Sequence, residues 1–113
     1  MIQEPVVIMD FVGNIANGAT ELSSTHPTPI DGNVLIYGIV TSNNDVTVYI
    51  DMGIDDQSGL PAVYDYSRSF PVLAGTAEER NYPLAGKFAR MRVENLSGFI
   101  AAVKIHFKMR SHA

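Results

Sequence analysis

Ala89-Arg90-Met91-Arg92-Val93-Glu94-Asn95-Leu96-Ser97-Gly98-Phe99-Ile100-Ala101-Ala102-Val103-Lys104-Ile105-His106-Phe107-Lys108-Met109 decides the fold class. Ala89, Met91 and Val93 alternate with Arg90, Arg92 and Glu94. Ala101, Val103, Ile105, Phe107 and Met109 alternate with Ala102, Lys104, His106, Lys108 and Arg110. A period of two marks strands with one apolar and one polar face. Between Asn95 and Phe99, Leu96-Ser97-Gly98 reads as a three-residue hairpin loop, with glycine where φ turns positive. That turn predicts an antiparallel register in which Val93 faces Ala101, Met91 faces Val103 and Ala89 faces Ile105. A slip of one residue would mix the two faces.

The same register gathers Arg90, Arg92, Lys104, His106, Lys108 and Arg110 into one basic stripe, with Arg90 opposite Lys104. Two like charges ~5 Å apart in water cost ~0.8 kcal/mol, and more where water is excluded. The stripe is therefore expected to dock against an acidic partner, with a salt-sensitive association. The competing reading is a solvated face whose long side chains splay apart.

Moving outward, Val46, Val48, Ile50 and Met52 alternate with Thr47, Tyr49 and Asp51. Val34 to Thr41 is apolar on both faces and reads as a central strand, joined to the next by Ser42-Asn43-Asn44-Asp45. Val6 to Val12 reads as a first strand. Ala62 to Tyr66 and Phe70 to Leu73 read as short strands, with Pro71 marking an edge or a bulge. Asn14 to Asp31, with Pro27 and Pro29, is expected to be a long connection containing a ragged strand. Thr76-Ala77-Glu78-Glu79-Arg80 is the helix candidate, one turn at most. Seven to eight short strands predict an all-β antiparallel β-sandwich of jelly-roll or Greek-key connection, with a small closed barrel as the alternative. Residues 1–17 are expected to form an N-terminal strand or arm, and 18–113 the sandwich domain.

With 113 residues, 46% of them apolar and 18% charged, the chain has the size and composition of one folded domain, not of a disordered segment. There is no cysteine, which excludes disulfides, thiol catalysis and cysteine-ligated clusters. No stretch approaches the ~20 apolar residues of a membrane helix. Met1-Ile2-Gln3-Glu4-Pro5 lacks the basic start of a signal peptide, so folding in a cytoplasm is expected. Residues 1–60 carry eight acids and no lysine or arginine, whereas all eight bases lie in residues 61–113 beside four acids. A charge split of this kind points to docking or assembly; nucleic-acid binders are more often basic overall.

Chemical motifs are sparse. Asp51, Asp55 and Asp56, with Asp65, are dense enough for a weak Ca²⁺ candidate, but their spacing does not match an EF-hand. A plain polar loop with Asx turns accounts for them equally. His26, His106 and His112 have neither metal-ligand nor triad spacing. No nucleophile elbow and no phosphate loop are present, so no enzyme, cofactor or catalytic residue is expected. Tyr64 and Tyr66 share one face of a short strand and form a candidate aromatic platform for a sugar; packing at a subunit or sheet edge is the alternative.

Gly32-Asn33-Val34-Leu35-Ile36-Tyr37-Gly38, Asp55-Asp56-Gln57-Ser58-Gly59, Phe70-Pro71-Val72-Leu73-Ala74-Gly75-Thr76 and Gly86-Lys87-Phe88-Ala89-Arg90-Met91-Arg92-Val93-Glu94-Asn95 follow in an order that resembles small β-sandwich virion proteins of tailed bacteriophages. The segment ending Arg90-Met91-Arg92-Val93-Glu94-Asn95 is also similar to discoidin-like sandwiches. Those usually carry a tryptophan after an Asp-Gly turn, and Leu60-Pro61-Ala62-Val63-Tyr64 stands here instead. The phage resemblance implies a non-enzymatic capsid decoration (cement) protein located in the virion and assembled in the host cytoplasm. It implies a homo-oligomer, with a trimer favoured, docked on the major capsid or another virion protein and contacting neither nucleic acid nor membrane directly. The alternative is a carbohydrate-binding or adhesin-like module.

Overall fold

The computed structural model describes residues 5–28, 33–54 and 63–112. Nine strands run through them: β1 (Val6–Ile15), β2 (Thr20–Leu22), β3 (His26–Pro27), β4 (Asn33–Ser42), β5 (Val46–Gly53), β6 (Tyr66–Val72), β7 (Ala77–Ala85), β8 (Phe88–Glu94) and β9 (Ala101–Ser111). One sheet has the order β1-β9-β4-β7. The other has the order β2-β8-β5-β6, with β3 also pairing β8. Every pairing is antiparallel. The chain changes sheet after β1, β3, β4, β6, β7 and β8, so the first and last strands lie side by side in one layer. This is the jelly-roll order, and the expected β-sandwich is what forms.

The alternating residues build the core as their period requires. Val48, Ile50, Met52, Ala89, Met91 and Val93 of one sheet meet Val34, Ile36, Val40, Ala101, Ile105 and Phe107 of the other, all fully buried. Phe70 bridges the layers, its ring 6.1 Å from Phe107 and 6.0 Å from Tyr82. β4 is a central strand, paired on both sides. Gly38 lies on it beneath Phe107, where a Cβ would come within 2.1 Å of the His106 carbonyl oxygen.

Three expectations fail. The short strand read from Ala62 to Tyr66 does not form, since residues 63–65 lie outside any strand and β6 begins at Tyr66. β8 and β9 do not pair. They lie in opposite sheets, and residues 95–100 form a corner between the layers instead of a hairpin. Gly98 does have a positive φ, of 90°. However, Asn95 is fully buried and ties the corner elsewhere. Its side-chain amide donates to the carbonyls of Ile15 (2.8 Å) and Phe99 (2.7 Å). Its backbone N–H donates to Ala19, and its carbonyl accepts from Gly18. The inner faces of both sheets point at one core, so the alternation is satisfied equally by strands side by side and by strands face to face. The helix candidate at 76–80 is the start of β7, an edge strand. There Arg80 pairs with Glu78 at 2.8 Å and lies 4.8 Å from the Phe70 ring centroid. Pro71 stands on β6, the far edge of its sheet, as expected.

Candidate docking faces

The basic stripe divides between the two outer faces of the sandwich. Arg90 and Arg92 belong to β8 in one sheet, whereas Lys104, His106, Lys108 and Arg110 belong to β9 in the other. The core separates them, and the repulsive Arg90–Lys104 pair does not exist.

On the first face, β5 supplies what β8 lacks. The register sets Asp51 across from Arg90 on one side and from Ser67 on the other, and Tyr49 across from Arg92. Asp51 is buried, and one carboxylate oxygen accepts from both guanidinium Nε atoms, at 2.9 Å from Arg90 and 3.0 Å from Arg92. The other oxygen accepts from the Ser67 hydroxyl. Burial alone would raise the Asp51 pKa. The hydrogen bonds from Ser67, Arg90 and Arg92 outweigh it and hold the carboxyl below its ordinary value. Each guanidinium also lies on a tyrosine ring, Arg92 on Tyr49 at 4.0 Å and Arg90 on Tyr64 at 4.1 Å from the centroids. Burial, then the charge and hydrogen bond of Glu94, raise the Tyr49 hydroxyl pKa. The Tyr64 hydroxyl shares a hydrogen bond with Thr25, and its ring meets Phe88 edge-on at 5.3 Å. The two arginines thus stand side by side, held at their inner edges by one carboxylate, each about a third exposed.

On the opposite face, Lys104, His106, Lys108 and Arg110 alternate outward along β9. Val7, Asp10 and Val12 of β1 flank them on one side, and Tyr37, Ile39 and Thr41 of β4 on the other. His106 Nδ1 lies 3.4 Å from Asp10, and the Arg110 guanidinium lies 5.9 Å from the Tyr37 centroid.

The two tyrosines of the candidate platform have different partners. Tyr64 lies under Arg90, whereas the Tyr66 hydroxyl donates to the Ala85 carbonyl and ties β6 to the end of β7. Of the Ca²⁺ candidate, Asp51 is taken by the two arginines and Asp65 accepts from the Ile54 N–H at 2.7 Å. Asp55 and Asp56 lie outside the described residues, within which no group of three metal-ligating side chains gathers.

One end of the sandwich was not foreseen from the sequence. Loops 16–19, 43–45, 73–76 and 95–100 meet there. The Gly98 N–H donates to the Asn17 side chain, Asn44 to the Ile100 carbonyl, the Ala102 N–H to the Asn43 side chain, the Ala74 N–H to Asp45 and the Gly75 N–H to the Ser42 carbonyl. All three positive-φ glycines, Gly18, Gly75 and Gly98, shape these turns. On this fastened frame Leu73, Leu96, Phe99 and Ile100 are all more than half exposed. Leu73 and Leu96 line one cleft with Val46, Pro71 and Glu94. The sequence signal for the patch is Leu96 and Phe99-Ile100 standing inside a turn.

No protein-family model and no curated protein matches the chain. Two solved structures share its fold. PirA is 16% identical with a TM-score of 0.54, over 91% of this chain and 93% of its own. A protein from Bacillus endospore appendages, a family of disulfide-linked pili, is 8% identical with a TM-score of 0.50, over 100% of this chain and 95% of its own. At these identities the likeness is one of fold alone, a small β-rich sandwich. Having no cysteine, this chain makes no disulfide link of that sort.

Proposed function

We propose that the chain is a non-enzymatic structural protein whose work is adhesion, a capsid decoration protein of a bacteriophage virion that docks on the assembled shell and stabilises it. The observation carrying this reading is the apolar end. Four large side chains, Leu73, Leu96, Phe99 and Ile100, are held out to water on loops that hydrogen bonds and glycine turns fasten in place. Exposed apolar groups on a preorganised frame lose little entropy when a partner covers them. Asp45 is the one ionisable residue among these four loops, which suits an apolar protein surface better than anionic lipid headgroups. Viral capsid domains are among those built on the jelly-roll order, an analogy of fold that supports the reading without carrying it. The arginine–tyrosine face adds residue types enriched at interface hot spots. A protein that binds the assembled shell and not its free subunits stabilises the shell by mass action.

Co-sedimentation with intact and with dissociated particles tests the reading. Binding is expected to intact shells alone and to disappear in Leu96→Asp/Phe99→Asp. Equal binding by that variant, or binding to neither form, overturns it. The carbohydrate-binding alternative expects free faces on Tyr64 and Tyr66; Arg90 lies over the Tyr64 ring, and the Tyr66 hydroxyl is bonded to the Ala85 carbonyl.

A further inference from the structure

Among the described residues, the outer edge of β1 differs from every other sheet edge. β7 carries Pro83 and the charged run Glu78-Glu79-Arg80, and β6 carries Pro71 and Arg68. β2 and β3 are three and two residues long. Prolines, charges, bulges and shortness are the devices that keep sheet edges from pairing with other chains. β1 is long and has no proline: it runs for ten residues, Val-Val-Ile-Met-Asp-Phe-Val-Gly-Asn-Ile, with one charge. Among the described residues it pairs with β9 alone. A bulge interrupts it between Val7 and Met9, so Met9 to Ile15 is the regular stretch. Val12, at the centre of that stretch, is 73% exposed, the most exposed large apolar side chain described.

We infer that this edge pairs with β1 of a second copy, antiparallel about a two-fold axis through Val12, joining two four-stranded sheets into one of eight. The register follows from the side chains. Centring on Val12 sets Val12 against the partner's Val12 on the outer face, and Asp10 against the partner's Asn14, an acid beside an amide donor. Centring on Asp10 would instead oppose two carboxylates. On the inner face Phe11 comes against the partner's Gly13. Each Gly13 is already capped by the Phe11 ring of its own strand, 3.0 Å from where a Cβ would stand, so the two rings meet across the pair as neighbours. A cleft of about 320 Å³ runs between β1 and residues 21–26 of the facing sheet, lined by Ile8, Met9 and Leu22 and by Asp10, Glu21 and His26.

Ten residues of β1 span ~33 Å, and the two stacked sheets lie ~10 Å apart before side chains are added, which puts the wall along β1 at the lower end of the ~600–1,000 Å² per partner of a standard interface. Because the other described edges are blunted, β1 can meet only its own counterpart, and the contact closes as a dimer instead of propagating as a fibre. The edge thus favours a two-fold pair over the trimer implied by the phage resemblance, and it stands independently of docking by the apolar end.

The test uses the full chain. Sedimentation across a concentration series is expected to give a species of twice the 12.3 kDa chain mass. Because the chain has no cysteine, Val12→Cys introduces one reporter. Directly opposed residues sit ~5 Å apart at Cα, within disulfide reach. Under oxidised glutathione V12C is expected to form covalent dimers much faster than Leu73→Cys, a comparably exposed control on the apolar end. Val12→Lys, on the same exposed position, is expected to keep the melting temperature of the monomer and to weaken dimerisation about 100-fold. A monomer persisting to ~1 mM, equal cross-linking of V12C and L73C, or an undiminished V12K dimer each overturns the pairing.

Discussion

Asp51→Asn removes a buried charge while keeping its shape, and so isolates what the carboxylate does for β5 and β8. The wild-type side chain accepts charge-assisted hydrogen bonds from Arg90 and Arg92 and a third bond from Ser67. Hydrogen bonds to charged groups contribute about 1.5–3 kcal/mol each. Against their loss stand the relief of carboxylate desolvation and partial hydration of two guanidiniums that are each about a third exposed. A net loss of about 3 kcal/mol is expected, toward the low end for breaking a buried ion pair. For a domain of this size that lowers the melting temperature by roughly 12 °C. Denaturant titration at several pH values is the assay. The Asp51 pKa is lowered in the folded state, so its stabilisation is complete above the unfolded value of about 3.9 and is lost as pH falls through the folded one. The gap between wild type and D51N should therefore be flat from about pH 5 to 8 and should narrow in more acid solution. A gap under about 0.5 kcal/mol at neutral pH, or one that does not narrow on acidification, refutes the reasoning.

Gly38→Ala would drive a methyl group into the backbone of β9, where the His106 carbonyl oxygen cannot retreat without breaking the sheet; a loss of more than about 3 kcal/mol is expected by thermal melting. Asn95→Ala leaves the Ile15 and Phe99 carbonyls without their amide donor at a buried corner, and should cost about 2–3 kcal/mol by chemical denaturation. Leu96→Asp/Phe99→Asp changes only exposed side chains, so its stability should stay within about 0.5 kcal/mol of wild type while shell binding is lost. Lys104→Glu/Lys108→Glu should remove any salt dependence of association measured between low salt and ~0.5 M, if the β9 face is the one that meets an acidic surface; an unaltered salt slope would assign that dependence elsewhere.

Alternation told which side chains go inside but not which strands are neighbours. Met91 and Val103 were legible as core because a period of two survives any arrangement of the layers. That Arg92 lies beside Tyr49, and not in one stripe with Lys104, depends on pairings between residues more than forty positions apart, and no local rule encodes these. Gly98 gave the correct backbone conformation and the wrong connection. What decides between hairpin and corner is the Asn95 amide, whose partner Ile15 lies eighty residues away. β7 was hidden for a related reason. Glu78, Arg80 and Tyr82 form the half-buried row of an edge strand, and the charged pair at its start imitates a helical turn. The apolar end escaped notice because Leu73 and Leu96 are unremarkable in sequence and become a patch only when four loops converge.

The pairing of β1 with β9 joins Val6 to Met109 and Ile15 to Ala101, which places the two extremities of the described chain in one ladder. Of the nine strands, β1 emerges first during synthesis and waits for β9 before its backbone groups find their permanent partner. β4 waits as well, because β9 is inserted between the two. The sandwich therefore closes late, and a slow step at the arrival of residues 101–111 is the expectation for a fold dominated by distant contacts. A nascent polypeptide halted at residue 100 would carry two naked ladders at once, a state that invites chaperone capture or aggregation.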